Sequence, residues 1–202
     1  MKEWFSQYGY LVVVFFVVLA IFIVVLNFAA KAYSKHMKSF RAEEAEIKRL
    51  TALKEKYKDF SEETIKSAPD EEVLEGVALI YQLFLQKKEN IEEEFLNLSD
   101  EKKSIYVLDV FVSDGGVKEF FSANTDILRK RIVPALQLIG LSEDAKLVNE
   151  ISRMYDDNDI EASLSEKRIE EIDKIIRKSN LLSRIKLEGA KYIKKNIELI
   201  KF

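Results

Sequence analysis

An unbroken apolar run near the start of the chain constrains its fold more than any other feature. Every residue from Tyr10 to Leu26 is apolar or aromatic, and Asn27 is the only polar residue before Lys31. A helix needs about 20 apolar residues to cross ~30 Å of hydrocarbon, and a lone strand there would leave its backbone groups unpaired. The run therefore predicts a transmembrane helix at residues 10–30, preceded by a short tail at 1–9.

The charges that flank this run indicate its orientation. Lys31, Lys35, Lys38 and Arg41 follow the run, whereas Lys2 is the only Lys or Arg before it. Cytoplasmic flanks of membrane spans carry the excess of Lys and Arg. The sequence thus predicts a single-pass protein of the inner (plasma) membrane, with its N-terminus outside and its C-terminal domain in the cytoplasm.

A cleaved signal peptide is the alternative interpretation of the same residues. The triplet at residues 30–32, Ala-Lys-Ala, imitates a cleavage site. Against it, the apolar run is longer than the roughly 7–15 residues of a usual signal-peptide core, and cations follow immediately. The anchor is therefore the favoured interpretation.

Residues 31–66 are predicted to form a basic juxtamembrane helical stalk. Residues 31–60 hold nine Lys or Arg and five Asp or Glu, a net charge of +4. Such a segment can attract anionic lipid, but a solvated spacer helix is the simpler interpretation. A short parallel coiled coil that makes the chain a homodimer is a further alternative.

The rest of the chain, residues 67–202, is predicted to be an all-α domain. Its start is indicated by Ser-Ala-Pro-Asp at 67–70, where a capping residue precedes a proline and an acid. Apolar residues then recur with helical spacing, and the whole chain has only six glycines, two prolines and no cysteine. Ile91, Phe95 and Leu98 are expected to turn inward.

The centre of this domain is expected at residues 98–141. Ser99 has the chemistry of an N-cap, and Phe111 belongs to a run too apolar for a one-sided surface helix. Gly115 and Gly116 are predicted to end that helix in a structural turn, because glycine adopts positive φ at little cost.

The next helix is predicted to restart at Pro134, with residues 124–133 as a lead-in. Gly140 is expected in the left-handed position after its last turn.

The central stretch also resembles a known protein family. The sequence reads SDEKKSIYVLDVFVSDGGVKEFFSAN, followed later by VPALQLIGLSEDAKLV. It is similar to the C-terminal-domain family of bacterial DNA-mimic proteins, although Ser113 and Asp114 stand where that family has two asparagines, and Val117 where it has an aromatic residue. The resemblance covers roughly residues 67–200. It implies an all-α module that binds protein partners, with no catalytic residues.

The sequence offers little for catalysis but an uneven distribution of charge. With one histidine and no cysteine, it has no recognisable catalytic, cofactor or metal motif, so a non-enzymatic protein is predicted. Residues 61–120 hold 15 acids and six lysines, a net charge of −9, whereas residues 121–202 hold 16 bases and 14 acids, a net charge of +2. The acidic half predicts an interaction patch formed by Glu71, Glu72, Glu75, Glu92, Glu93 and Glu94.

Two function classes follow from these observations. The first is a membrane-anchored module that binds a cytosolic protein with a basic face, without direct contact with nucleic acid. The alternative is a structural or assembly protein whose helical domain mainly dimerises.

Overall fold

A computed structural model of the chain describes residues 37, 40–156 and 162–201. These residues are mostly helical and include no strand, so the predicted all-α class is confirmed for them. The helices in chain order are α1 (residues 40–57), α2 (Glu62–Ser67), α3 (Asp70–Leu85), α4 (Ile91–Asn97), α5 (Asp100–Ser113), α6 (Val117–Ala123), α7 (Asp126–Leu138), α8 (Ser142–Asp156), α9 (Ala162–Lys178), α10 (Leu181–Lys195) and α11 (Ile197–Ile200).

The predicted N-terminal tail and the predicted transmembrane helix at 10–30 lie outside the described residues. None of the helices that are described has both the length and the apolar character needed to cross a bilayer.

The chain divides into two units, Met1–Ala52 and Leu53–Phe202. In the first unit, the described residues 40–52 are helical, and nearly all of them are exposed. Two ion pairs lie within this helix, with Lys48 2.6 Å from Glu44 and Arg49 2.7 Å from Glu46. Pairs at this spacing between exposed side chains stabilise a helix only weakly, so this segment has the properties of a solvated helix.

In the second unit, α5 is the helix around which the others pack. It contacts α3 and α10, which also pack on each other, and it contacts α7, which packs on α8. The Ser99 hydroxyl accepts a hydrogen bond from the Lys102 amide at 3.4 Å, as expected of the N-cap. Phe111 is fully buried, which confirms the predicted central position of this helix.

The core of this unit extends back beyond the predicted boundary at Ser67. Tyr57, at the end of α1, and Ile65, in α2, are both fully buried, and Leu53 is nearly so. The hydroxyl of Tyr57 donates a hydrogen bond to Glu72 on α3 at 3.1 Å. The last turn of α1 and all of α2 therefore belong to the folded domain, although the sequence assigned residues up to 66 to the stalk.

Pro134 does not begin a helix as predicted, because α7 runs continuously from Asp126 to Leu138. A proline inside a helix removes one backbone hydrogen bond and crowds the carbonyl four residues earlier, here that of Lys130. Both Pro134 and Lys130 are exposed residues, so the irregularity lies on the solvent side of the helix. The prediction failed because the buried residues Ile132, Ala135 and Leu136 hold both halves of the helix on the core.

The C-terminal end of the described chain is fastened to α3 by polar contacts. The buried Tyr81 hydroxyl donates to the Ile200 carbonyl at 2.6 Å. Lys194 donates to the Ala68 carbonyl at 2.7 Å and to the Asp70 carboxylate at 2.5 Å. Burial raises the pKa of Tyr81, so its hydroxyl stays protonated and able to donate.

Candidate protein-interaction surface

The short helix α4 presents apolar side chains to solvent beside a cluster of acids. The Asn90 side chain caps the helix by accepting from the Glu93 amide at 3.2 Å. The acids of the first turn face the positive end of the helix dipole, which favours them there. Phe95 is buried, but Ile91 is 49% exposed and Leu96 is 48% exposed. The expected inward turn of this segment therefore holds for Phe95 and not for Ile91.

An apolar cleft of about 210 Å³ opens beside α4. Its lining residues come from the end of α3, from α4, from α5 and from the start of α7, and they are Leu85, Ile91, Glu92, Phe95, Tyr106, Thr125, Ile127 and Leu128. The rings of Phe95 and Tyr106 pack with their centroids 5.3 Å apart. Burial, and then the charge of Asp109, raise the pKa of Tyr106, so its phenol stays neutral. With a volume of about 210 Å³, the cleft has room for one or two apolar side chains.

The rim of this cleft is rich in acids, since Glu92 lines the opening and Glu89 and Glu93 are its close neighbours in the sequence. Glu89, Glu92 and Glu93 are exposed, and none of them forms a salt bridge with a residue that the structure describes. Glu94 lies 3.6 Å from Lys88, whose ammonium also lies 4.8 Å from the centroid of the Phe84 ring. Three carboxylates without an ion-pair partner among the described residues therefore lie beside an apolar opening, and that of Glu93 accepts a hydrogen bond from the neutral Asn90 amide at 3.1 Å.

The structure does not bring the six glutamates of the predicted patch together. Glu71, Glu72 and Glu75 lie in the first two turns of α3, whereas the other three follow the far end of that helix. With a rise of 1.5 Å per residue, the two groups are roughly 20 Å apart along the axis of α3. Glu72 is also engaged, because it accepts hydrogen bonds from Lys56 and Tyr57. The patch is therefore two separate acidic groups, and only the group on α4 adjoins the apolar cleft.

The three glycines of the predicted structural turns occupy two kinds of backbone conformation. Gly115 and Gly140 have φ of +85° and +84°, in the left-handed region that favours glycine. The Gly140 amide donates to the Gln137 carbonyl at 3.0 Å and the Leu141 amide to the Leu136 carbonyl at 2.9 Å, which together form a Schellman motif. Gly116 has an extended backbone instead.

Position 116 has no room for a side chain, because an ion-pair cluster lies against the backbone of Gly116. A β-carbon there would be 2.9 Å from Glu119 Oε2 and 3.0 Å from Arg177 Nη2. Arg177 joins Glu119 on α6 at 2.9 Å and Asp173 on α9 at 2.5 Å. This glycine therefore permits a contact between two helices, which explains its position without a binding partner.

The apolar lining of the cleft was not identified as a site from the sequence. Tyr106, Ile127 and Leu128 are half-buried, and each fits the helical pattern of a core residue. The only local signal was Ile91, an apolar residue among four glutamates. Among the described residues, no three His, Asp or Glu side chains are grouped as a metal site. Scans against protein-family models, curated proteins and solved structures return no match for this chain.

Proposed function

We propose that this chain is a non-enzymatic, membrane-anchored interaction module of the DNA-mimic type, whose helical domain binds a basic amphipathic segment of a cytosolic protein. The observation that supports it most is the apolar cleft next to Glu89, Glu92 and Glu93, which carry no neutralising partner among the described residues. An amphipathic helix binds a groove by placing its apolar residues in the groove, while its charged residues meet the rim. Here such a helix would insert one or two apolar side chains and place lysines or arginines over the rim.

The anchor in this proposal is the apolar run from Tyr10 to Leu26, and the cations behind it support a cytoplasmic domain. Membrane insertion is tested by alkaline carbonate extraction of cell membranes, from which the chain should not be released. A reporter that is active only outside the cytoplasm, fused to the C-terminus, should stay silent. An active reporter would reverse the orientation and revive the signal-peptide interpretation.

Partner binding is tested on residues 53–202 with a defined peptide. The probe is a helical peptide with leucines on one face and lysines on the other, and the matched control has glutamates in place of the lysines. Fluorescence anisotropy should detect binding of the lysine peptide alone. The affinity should fall with added salt, because exposed charges are screened over about 10 Å at 0.1 M.

Two pairs of variants locate the site. Glu89→Lys with Glu92→Lys should weaken binding at least tenfold, whereas Glu62→Lys with Glu63→Lys, the same charge change on α2, should have little effect. Ile91→Ser should weaken binding more than Leu199→Ser, because both side chains are exposed but only Ile91 lines the cleft. Equal losses within either pair would contradict the proposed site.

Self-association is the competing use of the same cleft. It would be revealed by light scattering as a dimer of residues 53–202 that Ile91→Ser dissociates and that salt does not. That result would replace the proposed partner by a second copy of the chain.

A further inference from the structure

A dense basic segment lies outside the proposed partner site. Residues 174–195 hold eight Lys or Arg and one acid, a net charge of +7. They cover the second half of α9, the link at Ser179 and Asn180, and the whole of α10. No other part of the second unit concentrates positive charge in this way, and the proposed partner site makes no use of it.

The outward face of α10 combines these cations with exposed leucine. The helix buries Leu181, Ile185, Gly189, Ala190 and Ile193. Helical spacing places Arg184, Leu187, Lys191 and Lys195 on the opposite side, since each follows the last by three or four residues. Leu187 is 41% exposed, and Leu199, four residues beyond Lys195, is 54% exposed.

Part of this positive charge is free of local neutralisation. Arg184 is engaged by Asp144, Lys191 by Glu188 and Lys194 by Asp70. The remaining lysines form no salt bridge with any described residue, and they are Lys174, Lys178, Lys186 and Lys195. Four cations of this basic segment thus remain available to an anionic partner, and one of them, Lys195, lies on the outward face of α10 together with Leu187.

We infer that this face of α10 lies on the anionic headgroups of the bilayer. The inference rests on the proposed function, because the anchor would hold the domain next to that surface. Lysines attract anionic lipid within a Debye length, and leucines between them can enter the interface. Nucleic acid fits this face less well, because single strands are bound by stacking on aromatic side chains, and the outward face of α10 carries Leu187 instead. Since α10 lines no part of the apolar cleft, lipid and the basic peptide can be bound together.

The absence of cysteine makes this contact directly measurable. Full-length Leu187→Cys would be labelled with an environment-sensitive fluorophore and placed in lipid nanodiscs of phosphatidylcholine, with or without phosphatidylglycerol. The emission should shift to the blue and brighten several-fold only with phosphatidylglycerol. The matched control is Leu96→Cys on α4, which is similarly exposed and should not respond. Adding Lys178→Glu with Lys195→Glu should abolish the response, whereas Lys118→Glu with Lys130→Glu, on exposed lysines of α6 and α7, should preserve it.

The possible failures can be told apart. Equal emission in both lipids, an equal response at Leu96→Cys, or equal effects of the two charge reversals would overturn the lipid contact. A shift that appears in neutral nanodiscs on addition of duplex DNA would overturn it in favour of nucleic acid. The fluorophore on Leu187→Cys could fail to respond although the chain resists carbonate extraction and residues 53–202 bind the lysine peptide. In that case the lipid contact is wrong, but the proposed function stands. Release of the chain by carbonate would instead remove the anchor on which it rests.

Discussion

The ring of Tyr57 lies directly on the backbone of Gly76. A β-carbon at Gly76 would be 2.4 Å from Tyr57 Cε2 and 2.6 Å from Cδ2, distances that packed atoms do not adopt. Tyr57 is fully buried, and burial and the neighbouring Glu72 raise the pKa of its hydroxyl. The end of α1 is thus fixed on α3 by an aromatic ring that only glycine can accept.

Gly76→Ala is therefore expected to destabilise the domain. Alanine favours a helix by about 1 kcal/mol over glycine, but here it would displace a rigid, buried ring, and overpacking costs typically 1–3 kcal/mol. We expect a net loss of about 1–2 kcal/mol in chemical denaturation of residues 53–202. Gly189→Ala is the matched control, since its β-carbon would be 3.3 Å from the flexible end of Leu74. It should be neutral or stabilising, and a loss equal to that of Gly76→Ala would contradict the role of Tyr57.

The same contact predicts where the domain can be cut. A fragment of residues 53–202 should be helical and unfold cooperatively, whereas residues 67–202 lack Tyr57 and Ile65. Removing one large buried side chain costs about 2–5 kcal/mol, so the shorter fragment should lose more than roughly 3 kcal/mol. Circular dichroism during urea denaturation compares the two. Equal midpoints would place the boundary at Ser67, as the sequence alone suggested.

Local patterns in the sequence predicted the helices but not this boundary. The spacing of apolar residues and caps such as Ser99 identified α5, and glycine chemistry identified the turns at Gly115 and Gly140. The contact between Tyr57 and Gly76 joins residues from separate helices, and neither residue is unusual within its own segment. The continuation of α7 through Pro134 was missed for a related reason, because packing on the core outweighed a local preference.

The candidate site was predicted only in part. Counting charge along the sequence correctly separated an acidic half from a more basic one. It could not reveal that Glu72 is engaged by Lys56 and Tyr57, or that α3 separates its acids from those of α4. The apolar cleft arises where four helices meet, so no single segment carried its signal.

Phe111→Ala should be strongly destabilising because its side chain is at the centre of the core. The residue is fully buried, and its ring packs with that of Phe120 at 5.2 Å between centroids. Deleting a buried phenylalanine costs about 3–5 kcal/mol through lost burial and the cavity that remains. Leu96→Ala, on an exposed apolar residue, should change stability by less than about 0.5 kcal/mol. A loss under about 1 kcal/mol for Phe111→Ala would contradict its central position.

The ion pair between Glu150 and Arg168 should make stability depend on pH in the acid range. Arg168 Nε donates to Glu150 at 2.7 Å and joins α8 to α9. This hydrogen bond lowers the pKa of Glu150 from its ordinary value of 4.5, against the opposing effect of desolvation, and the charge of Arg168 lowers it further. A carboxyl group with a lowered pKa stabilises the fold above its unfolded-state pKa, and the contribution is lost as the pH falls below that value.

Glu150→Gln should consequently destabilise residues 53–202 at pH 7 and much less at pH 3. Both side chains are over a third exposed, so the difference should stay within about 1 kcal/mol. Glu171→Gln is the matched control, because Glu171 pairs with Arg168 within α9 and joins no second helix. Denaturation midpoints at the two pH values give the comparison. If Glu150→Gln destabilised the fragment equally at pH 7 and pH 3, the charge of Glu150 would contribute nothing to stability.

The turn between α5 and α6 allows backbone strain to be separated from side-chain crowding. Gly115 has a left-handed backbone with open space around its missing β-carbon, so Gly115→Ala should cost only the conformational penalty of about 1–2 kcal/mol. Gly115→Asn should recover much of it, because asparagine tolerates that conformation. Gly116→Ala involves no such strain, but it should displace the side-chain ends of Glu119 and Arg177.

The double variant Gly115→Ala with Gly116→Ala should lose more than roughly 2 kcal/mol, because the strained turn also carries the fully buried Val117, Phe120 and Phe121 into the core. The rival explanation is that both positions lack a side chain so that a binding partner can approach the backbone closely. It requires an unchanged melting temperature and weaker binding of the lysine peptide, whereas strain requires the melting temperature to fall while any folded protein still binds. Melting temperature and peptide affinity, measured on the same preparation, separate the two. A higher melting temperature for Gly115→Asn than for Gly115→Ala would then assign the loss to the left-handed backbone of Gly115.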